Sequence, residues 1–385
     1  MKIAQFIPFL TRGGAEKVVV NLSNQLISKG HEVTIYLCYP QKNNLLLSEL
    51  HEKINVSYIY ENKIGSSLLL YLKLFIWIRL NAKKLFAYDV IHCHLTFGSI
   101  LGSILWLIIQ SKVKKTRFPA VVETNHSVGT NIKSWQKMLF SITSKMRDGY
   151  VLMAQDKLAK KINRHSSPLI SFIPNGIEIE VRSYSSIESS LKLPNQNLEK
   201  NEFKICTIGR MVNERDPFSL VGVFCELIQK LSPSERESIK IVWGGDGDAK
   251  KDIIKKLVEL DIIDYFAFLG EVHNAREVMS NSDLYVTMNV GNITGVSGLE
   301  AASVGVPVVA VQMLSDYIAT DDDWIWSSSN VDDIALKIVG YIRNSAERRH
   351  LAEKQKSFML ENLTAEQMAN RYINFYEEIQ RKRGG

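Results

Sequence analysis

The sequence predicts an α/β protein built as two parallel-sheet domains that face a cleft. Three observations predict it. Short apolar runs alternate with segments of 3.6-residue apolar periodicity, the pattern of parallel strands joined by crossover helices. The alternation breaks over a polar, serine-rich stretch from Glu178 to Glu202 and restarts at Phe203. The chain has 385 residues, more than one hydrophobic core ordinarily organises, so two domains are the default.

Lys2 to Pro8 reads as the first strand and Thr11-Arg-Gly-Gly-Ala-Glu16 as a tight loop. The next helix carries Ala15, Val18, Val19, Leu22 and Leu26 on one stripe and stops at Gly30; His31 to Leu37 is the second strand. This β-loop-α-β unit is Rossmann-like. Its loop is not GxGxxG: Gly13 and Gly14 are adjacent, and no acid clearly ends the second strand. That argues against a nicotinamide dehydrogenase. A Gly-Gly pair before a helix still lets another molecule approach the backbone closely.

Residues 66–86 form an unusually apolar helical segment, with Lys73, Arg79, Lys83 and Lys84 around Phe75 and Trp77. Such a segment suits a helix lying on a membrane surface, and equally a core helix whose lysines reach out to water. A strand from Tyr88 to His94, a helix from about Thr96 to Gln110 and a strand from Ala120 to His126 follow. Ligands of open α/β sheets bind at the carboxyl ends of strands. His94 and His126 stand at such ends and are candidate ligand contacts or acid–base groups. Taken singly, each is equally a capping or loop residue. His92-Cys93-His94 reads as strand alternation, not a metal site. A basic helix over 132–147, a strand at Gly149 to Met153, a helix at 156–162 and a strand turning at Pro174-Asn-Gly176 complete the first domain.

In the second domain, the strand from Phe203 ends in Gly209-Arg210, and Asp216-Pro217 opens a helix carrying Leu220, Val223, Phe224 and Leu227. A strand from Ile239 ends in a glycine turn at Gly244 to Gly247; a helix over 250–260 and a strand from Tyr265 to Gly270 follow. The most informative stretch comes next. It is a strand over Leu284 to Met288, a loop with Gly291, Gly295 and Gly298, a helix around Leu299 to Ser303, and a strand over Val308 to Val311. Loop amides at a helix start make an anion site, because unpaired N–H groups and the helix dipole point the same way. Glu300, expected in the first turn, would repel a phosphate and so is expected to accept bonds from ribose or sugar hydroxyls. Alone, it would equally serve to favour the helix start. At the end, Met368, Tyr372, Phe375 and Tyr376 form the stripe of an amphipathic helix over 364–380.

The net charge of +6 conceals an asymmetry: residues 1–180 hold 23 Lys and Arg against 11 Asp and Glu, and the remainder 24 against 30. A basic front half suits phosphates or an anionic lipid surface, or is simply a solvated face. The cysteines, Cys38, Cys93, Cys206 and Cys225, show no disulfide or zinc spacing, which favours a reducing cytoplasm. The start reads directly into a strand, with no signal peptide. The apolar runs at 68–78 and 97–109 fall short of the roughly 18 residues of a spanning helix.

With these residues in place, the chain resembles the retaining glycosyltransferases of family 4, which have the GT-B fold. Eight short motifs in the family's order carry the resemblance. They are Gly13-Gly-Ala-Glu16, Asp89 to His94, the strand end at His126, Ile173-Pro-Asn-Gly-Ile177, Ile208-Gly-Arg210, Gly245-Asp-Gly247, Phe268-Leu-Gly270, and Gly298 to Val309. The resemblance implies an acceptor-binding domain over 1–178, a donor-binding domain over 179–363, and a terminal helix over 364–385 that crosses back to the first. It implies that Arg210 pairs with a diphosphate, with Arg215 where the family has a lysine, and that Glu300 holds the ribose. Asn292 stands where the family's first acid, eight residues before Glu300, contacts the donor sugar. Backbone amides from Thr294 through Gly295 and Val296 to Ser297 would cover the phosphates and sugar. Gly245 would lie in the donor site, and Val272 against the base. His126 would contact the transferred sugar, and Gly14 would abut the diphosphate or the acceptor, with Gly13 and His94 on the acceptor side.

The implied activity is hexose transfer, with retained configuration, from a sugar nucleotide to a lipid-linked or surface-polysaccharide acceptor. A UDP-sugar is expected before a GDP-sugar; it is a substrate, so no cofactor is expected. No metal is expected either, since no Asp-x-Asp stands at a strand end and Asp321-Asp-Asp323 reads as solvated. The expected location is the cytoplasm, at the inner face of the cell membrane, and no nucleic acid is involved. Two other readings stay open: a nucleotide-sugar epimerase on the same fold, and a nucleotide-binding homologue weakened by the loss of the first acid.

Overall fold

The computed structural model describes residues 1–11, 13–42, 44–63, 67–111, 118–126, 146–153, 168–179, 202–290, 293–312 and 324–384. They divide into two units, Met1–Ile177 with Ala365–Gly385, and Glu178–Thr364. The linker expected over 178–202 and the helices expected over 132–147 and 156–162 lie outside the described residues almost entirely. So do Asn292 and Asp321 to Asp323.

In the first unit the strands are β1 (Lys2–Phe6), β2 (Glu32–Leu37), β3 (Asn55–Tyr58), β4 (Val90–His94), β5 (Ala120–Asn125), β6 (Gly149–Leu152) and β7 (Leu169–Phe172). They form a parallel sheet in the order β3-β2-β1-β4-β5-β6-β7. Parallel neighbours need crossovers, and the helices α1 (Gly14–Ser28), α2 (Ser67–Leu80), α3 (Ala82–Leu85) and α4 (Leu95–Gln110) lie along them. On α1, Val18, Val19, Leu22 and Leu26 are buried. Ala15, in the first turn, is only half-buried.

Helix α2 has two unlike faces. Leu74 and Ile78 are buried, and Trp77 sets its ring edge-on to Phe6 and Tyr36, which stack 4.6 Å apart. Leu72, Phe75, Ile76 and Leu80 are exposed, Leu80 by 80%, together with Lys73 and Arg79. The core reading of this helix therefore holds for one stripe, and the outward stripe is left apolar. Among the described residues, no helix is long and apolar enough to cross a membrane.

The second unit contains β8 (Phe203–Ile208), β9 (Ile239–Gly244), β10 (Phe266–Gly270), β11 (Leu284–Val290), β12 (Ile293–Thr294), β13 (Val308–Gln312) and β14 (Ser327–Ser328). Six are parallel in the order β10-β9-β8-β11-β13-β14, and β12 folds back antiparallel on β11. Its helices are α5 (Pro217–Lys230), α6 (Pro233–Glu237), α7 (Lys250–Glu259), α8 (Ala275–Ser280), α9 (Val296–Ser303), α10 (Val331–Arg343) and α11 (Ser345–Asn362). The expected stripe of α5, Leu220, Val223, Phe224 and Leu227, is buried. The sequence reading passed over α10 and α11. Helix α11 is charged nearly all round, but Gln355 is fully buried and its amide bonds the Val308 N–H at 2.7 Å and C=O at 2.8 Å. That pair satisfies the two backbone groups where β13 begins.

The last helix, α12 (Ala365–Gly384), belongs to the first unit. Met368, Tyr372, Phe375 and Tyr376 are all buried, with Ile379. Gly149 leaves room for Phe375 and Ile379, since a Cβ there would collide with both. The Ala365 N–H donates to the Ile177 carbonyl at 2.8 Å, and Arg383 lies 3.6 Å from Asp148. Replacing Phe375 with Ala should cost about 3–5 kcal/mol by the lost transfer energy and residual cavity, read as a lower urea midpoint of the full chain.

Candidate functional site

In each sheet the strand order reverses beside the first strand, between β1 and β4 and between β8 and β11. At such a reversal the flanking connections leave to opposite faces, and a crevice opens at the carboxyl ends. The candidate residues of each unit gather there.

In the second unit, β8 and β11 pair only at Leu284↔Ile205 and Tyr285↔Cys206. Beyond that the ladder is not continued, and the Tyr285 hydroxyl takes its place. It donates to the Ile208 carbonyl at 3.0 Å and accepts from the Ile208 N–H at 3.3 Å. Gly209 and Arg210 follow at the surface. Their backbone is gripped by the glycine turn after β9: Gly209 N–H donates to Gly244 O at 3.0 Å and Met211 N–H to Asp246 O at 3.0 Å. Gly245 has φ +125°, and a Cβ there would collide with the Gly209 carbonyl oxygen. Its first task is this close backbone approach. Val272 packs over Gly244 beside Ile208.

Arg215 ends a short 3-10 turn, Asn213–Arg215, and Asp216 follows at φ +47° as the residue before α5. Burial and then the neighbouring charge of Arg210 hold the Arg215 guanidinium below its usual value, partly offset by Tyr285. Part of this side chain is open to solvent, so the charge remains. Two like charges held together are poised for an anion between them.

Helix α9 begins at Val296, with Gly295 at its N-cap and no side-chain cap. The Gly298 N–H bonds back to Gly295 O at 3.0 Å; those of Val296 and Ser297 have no intrahelical acceptor, as in the first turn of any helix. Two expectations are corrected here. Gly298 lies inside the helix, and Glu300 stands in its second turn, because the helix starts three residues earlier than apolarity alone suggested. A carboxylate there is too far along to serve mainly as a favourable first-turn charge. Ser297 and Glu300 both act on Tyr285, whose hydroxyl burial pushes well above its usual value. Arg215, Ser297 and Glu300 thus meet at one tyrosine that the sequence motifs do not single out, and Arg210 lies beside Arg215. A single Tyr in an apolar strand gave no signal. Thr294 lies in β12, which pairs antiparallel with Asn289 and Val290 of β11.

In the first unit, Gly13 precedes α1 and Gly14 is its exposed first residue. The Gly13 N–H donates to Thr11 O at 2.9 Å, and Glu16 folds back beside Gly13, accepting from the Thr11 hydroxyl at 3.2 Å. An anion at this helix start would be repelled by that carboxylate; a neutral hydroxyl-bearing group would not. His94 ends β4 and precedes α4, where Leu95 takes φ +60°, a strained value for such a side chain. His94 Nδ1 lies 2.9 Å from His126 Nε2, and His94 Nε2 lies 2.6 Å from Gln5 Oε1. The two candidate histidines are therefore bonded to each other. His92 bonds Thr124 Oγ1 at 2.7 Å and the Tyr376 hydroxyl at 2.7 Å. Among the described residues, no group of three or more His, Cys, Asp or Glu side chains is placed to hold a metal.

With this geometry in view, the chain matches Glycosyltransferase Family 4 over residues 12–181 and Glycosyl transferases group 1 over residues 202–344. It belongs to the family 4, group 1 glycosyltransferases. It is 24% identical over 232 residues to UDP-Gal:alpha-D-GlcNAc-diphosphoundecaprenol alpha-1,3-galactosyltransferase of Escherichia coli, covering 58% of this chain and 57% of that one. It is 23% identical over 186 residues to N-acetyl-alpha-D-glucosaminyl L-malate synthase of Bacillus anthracis, covering 47% and 49%. The match thus spans about half the length of these curated relatives. Among solved structures, Anabaena Alr3699/HepE in complex with UDP and glucose superposes with a TM-score of 0.76 at 17% identity, covering 98% of this chain and all of that one. The fold is the GT-B pair of Rossmann-like domains.

Burial lowers all three histidines: His92 and His94 well below their usual value, and His126 from 6.5 to about 4. The folded chain refuses protons that the unfolded chain binds once the pH drops below about 6.5. Their stability contribution is therefore whole above that pH and is lost as the pH falls toward 4. The thermal midpoint should fall over this interval, and less steeply in His126→Gln; an equal slope in a calorimetric pH series would count against it.

Proposed function

We propose that this chain is a retaining, metal-independent hexosyltransferase that moves a sugar from a nucleoside-diphosphate donor to a saccharide acceptor. The observation that carries the reading is the meeting of Arg215, Ser297 and Glu300 at Tyr285, with Arg210 beside Arg215, at the strand reversal of the second unit and the start of α9. Arg210 and Arg215 take the diphosphate, together with the amides of Val296 and Ser297. Glu300, too negative to face the phosphates, accepts from ribose hydroxyls. Val272 lies near the base, and Gly245 serves by fixing the backbone that carries Arg210. As the bond from the sugar's anomeric carbon to the diphosphate breaks, its electron pair passes to the leaving phosphate. The arginines and amides stabilise that growing charge, a task that needs no metal. The acceptor belongs to the first unit, near Gly13, Gly14, His94 and His126. The carboxylate of Glu16 there favours a neutral saccharide over a phosphate.

The names of the relatives support UDP as the nucleotide and a lipid-linked acceptor; our own reading goes further, to an acceptor of surface-polysaccharide type such as lipopolysaccharide, O-antigen or capsule. Asn292, standing for the usual first acid, keeps open a weakened, nucleotide-binding form of the same site. The outward face of α2 seats the first unit on an anionic lipid surface: Leu72, Phe75, Ile76 and Leu80 supply apolar area, and Lys73 and Arg79 the charge. Such a surface combines insertion with attraction to anionic headgroups.

UDP-glucose or UDP-galactose should raise the thermal midpoint by mass action, and Arg210→Ala should weaken that binding roughly tenfold to a hundredfold, the worth of a charge-assisted bond. Transfer in the parent chain that is lost in Glu300→Ala would dismiss the weakened form; no midpoint shift with any sugar nucleotide would dismiss donor binding altogether. In a flotation assay the chain should float with anionic vesicles at low salt, and the quadruple Leu72, Phe75, Ile76 and Leu80→Gln variant should stay at the bottom. Equal behaviour of the two would refute the membrane seat.

A further inference from the structure

The strand end that carries Arg210 is held from two sides. On the β9 side the bonds run from backbone to backbone: Gly209 N–H to Gly244 O at 3.0 Å, Met211 N–H to Asp246 O at 3.0 Å, and Ala249 N–H to Met211 O at 2.9 Å. On the β11 side the ladder stops at Tyr285↔Cys206. Ile208 is the next residue of β8 to turn its N–H and C=O toward β11, and it meets a side chain there. Leu284 and Val286 join the apolar core on one face of the sheet. Tyr285 alternates with them and points to the other face. It is fully buried, and its hydroxyl reaches Ile208, two residues beyond its own partner Cys206.

The backbone fixes the direction of both bonds. A carbonyl only accepts and a backbone N–H only donates. The tyrosine proton therefore lies on the 3.0 Å bond to the Ile208 carbonyl, and the tyrosine oxygen accepts the 3.3 Å bond from the Ile208 N–H. A phenylalanine ring would fill the same space, so packing does not account for the hydroxyl. What the hydroxyl serves is the strand end, two residues before Arg210. Arg215 stands beside Arg210 with a like charge, and the backbone beneath Arg210 must hold against that repulsion. Bonds from β11 itself would hold it too, but they would zip the two strands together and close the reversal. The hydroxyl holds the end and leaves the strands apart.

We propose that Tyr285 is a positioning residue for the donor diphosphate: its hydroxyl fixes the backbone of Ile208 so that Arg210 stands where the phosphates bind, and it thereby sets UDP affinity without touching the nucleotide. The ligand's identity rests on the proposed donor site. The clamp on Ile208 does not. Without the hydroxyl, the N–H and C=O of Ile208 lose this partner, and the strand end moves under the repulsion of two arginines. The loss falls on the part of the affinity that passes through Arg210.

Calorimetric titration of the full chain with UDP tests it in a double-mutant cycle. Tyr285→Phe should weaken UDP binding about tenfold and no more than Arg210→Ala does, the worth of one charge-assisted bond. In the Arg210→Ala background the same change should cost less than about twofold, because the group it positions is already gone. Losses that multiply, as independent structural damage would give, overturn the proposal. So does an unchanged UDP affinity in Tyr285→Phe. Amide hydrogen exchange of the parent chain reads the clamp without any variant, should Tyr285→Phe fail to fold. The Ile208 amide should be protected, and UDP at about ten times its dissociation constant should slow its exchange about tenfold. An Ile208 amide that exchanges freely, or that UDP leaves unchanged, overturns the proposal. A parent chain that binds no UDP overturns the donor reading along with it. A parent chain that binds UDP and fails the cycle or the exchange test leaves the donor reading standing and removes only the part given to Tyr285.

Discussion

The second unit depends on one hydroxyl. Parallel strands β8 and β11 must part at their carboxyl ends for a crevice to open, and parting leaves the Ile208 N–H and C=O without a ladder. Buried backbone groups left unpaired are costly. Tyr285 answers both with a single oxygen, as donor to one and acceptor to the other. The strand end is thereby held while it stands apart from its neighbour. Arg210 follows at once, and Ser297 and Glu300 come up from the other side. The same group that closes the gap in the sheet also meets three of the candidate donor residues, Arg215, Ser297 and Glu300.

Backbone close to backbone is the second device in this unit. The turn at Gly245 to Gly247 lies directly on the segment Gly209 to Met211, and positive φ at both glycines allows it. The guanidiniums of Arg210 and Arg215 repel one another, and the fold holds them together through the backbone. An anion is what relieves such an arrangement. The first unit is organised differently. There a buried run of histidine, amide and hydroxyl groups links Tyr376 of α12 through His92 to Thr124, and Gln5 through His94 to His126, alongside a buried Arg147–Glu123 ion pair.

Much of this was legible beforehand. Apolar runs located the central strands within a residue or two, because a parallel sheet buried on both faces tolerates little else. Gly209-Arg210, the Gly245 turn and the stretch from Gly295 to Val309 pointed to the site because glycine and charge at strand ends have few other uses. Helix α11 was not legible: its surface is charged on most sides, and it is held by α10, by α9 and by Gln355. The start of α9 was misplaced because Val296, Ser297 and Gly298 are poor helix formers that only the surrounding packing makes helical. The two faces of α2 could not be told apart, because both are apolar.

The sequence by itself determined the alternation of elements, the two-unit division, the family, and the residue types at the strand ends, since these follow from local periodicity and from motif order. Tertiary structure alone decided which of those residues meet. Tyr285 lies beside Arg215 and Glu300, Gln5 beside His94, and Tyr376 beside His92, over sequence separations of up to 284 residues. A hydrogen bond's direction depends on what stands across the gap, and no stretch of chain carries that information within itself.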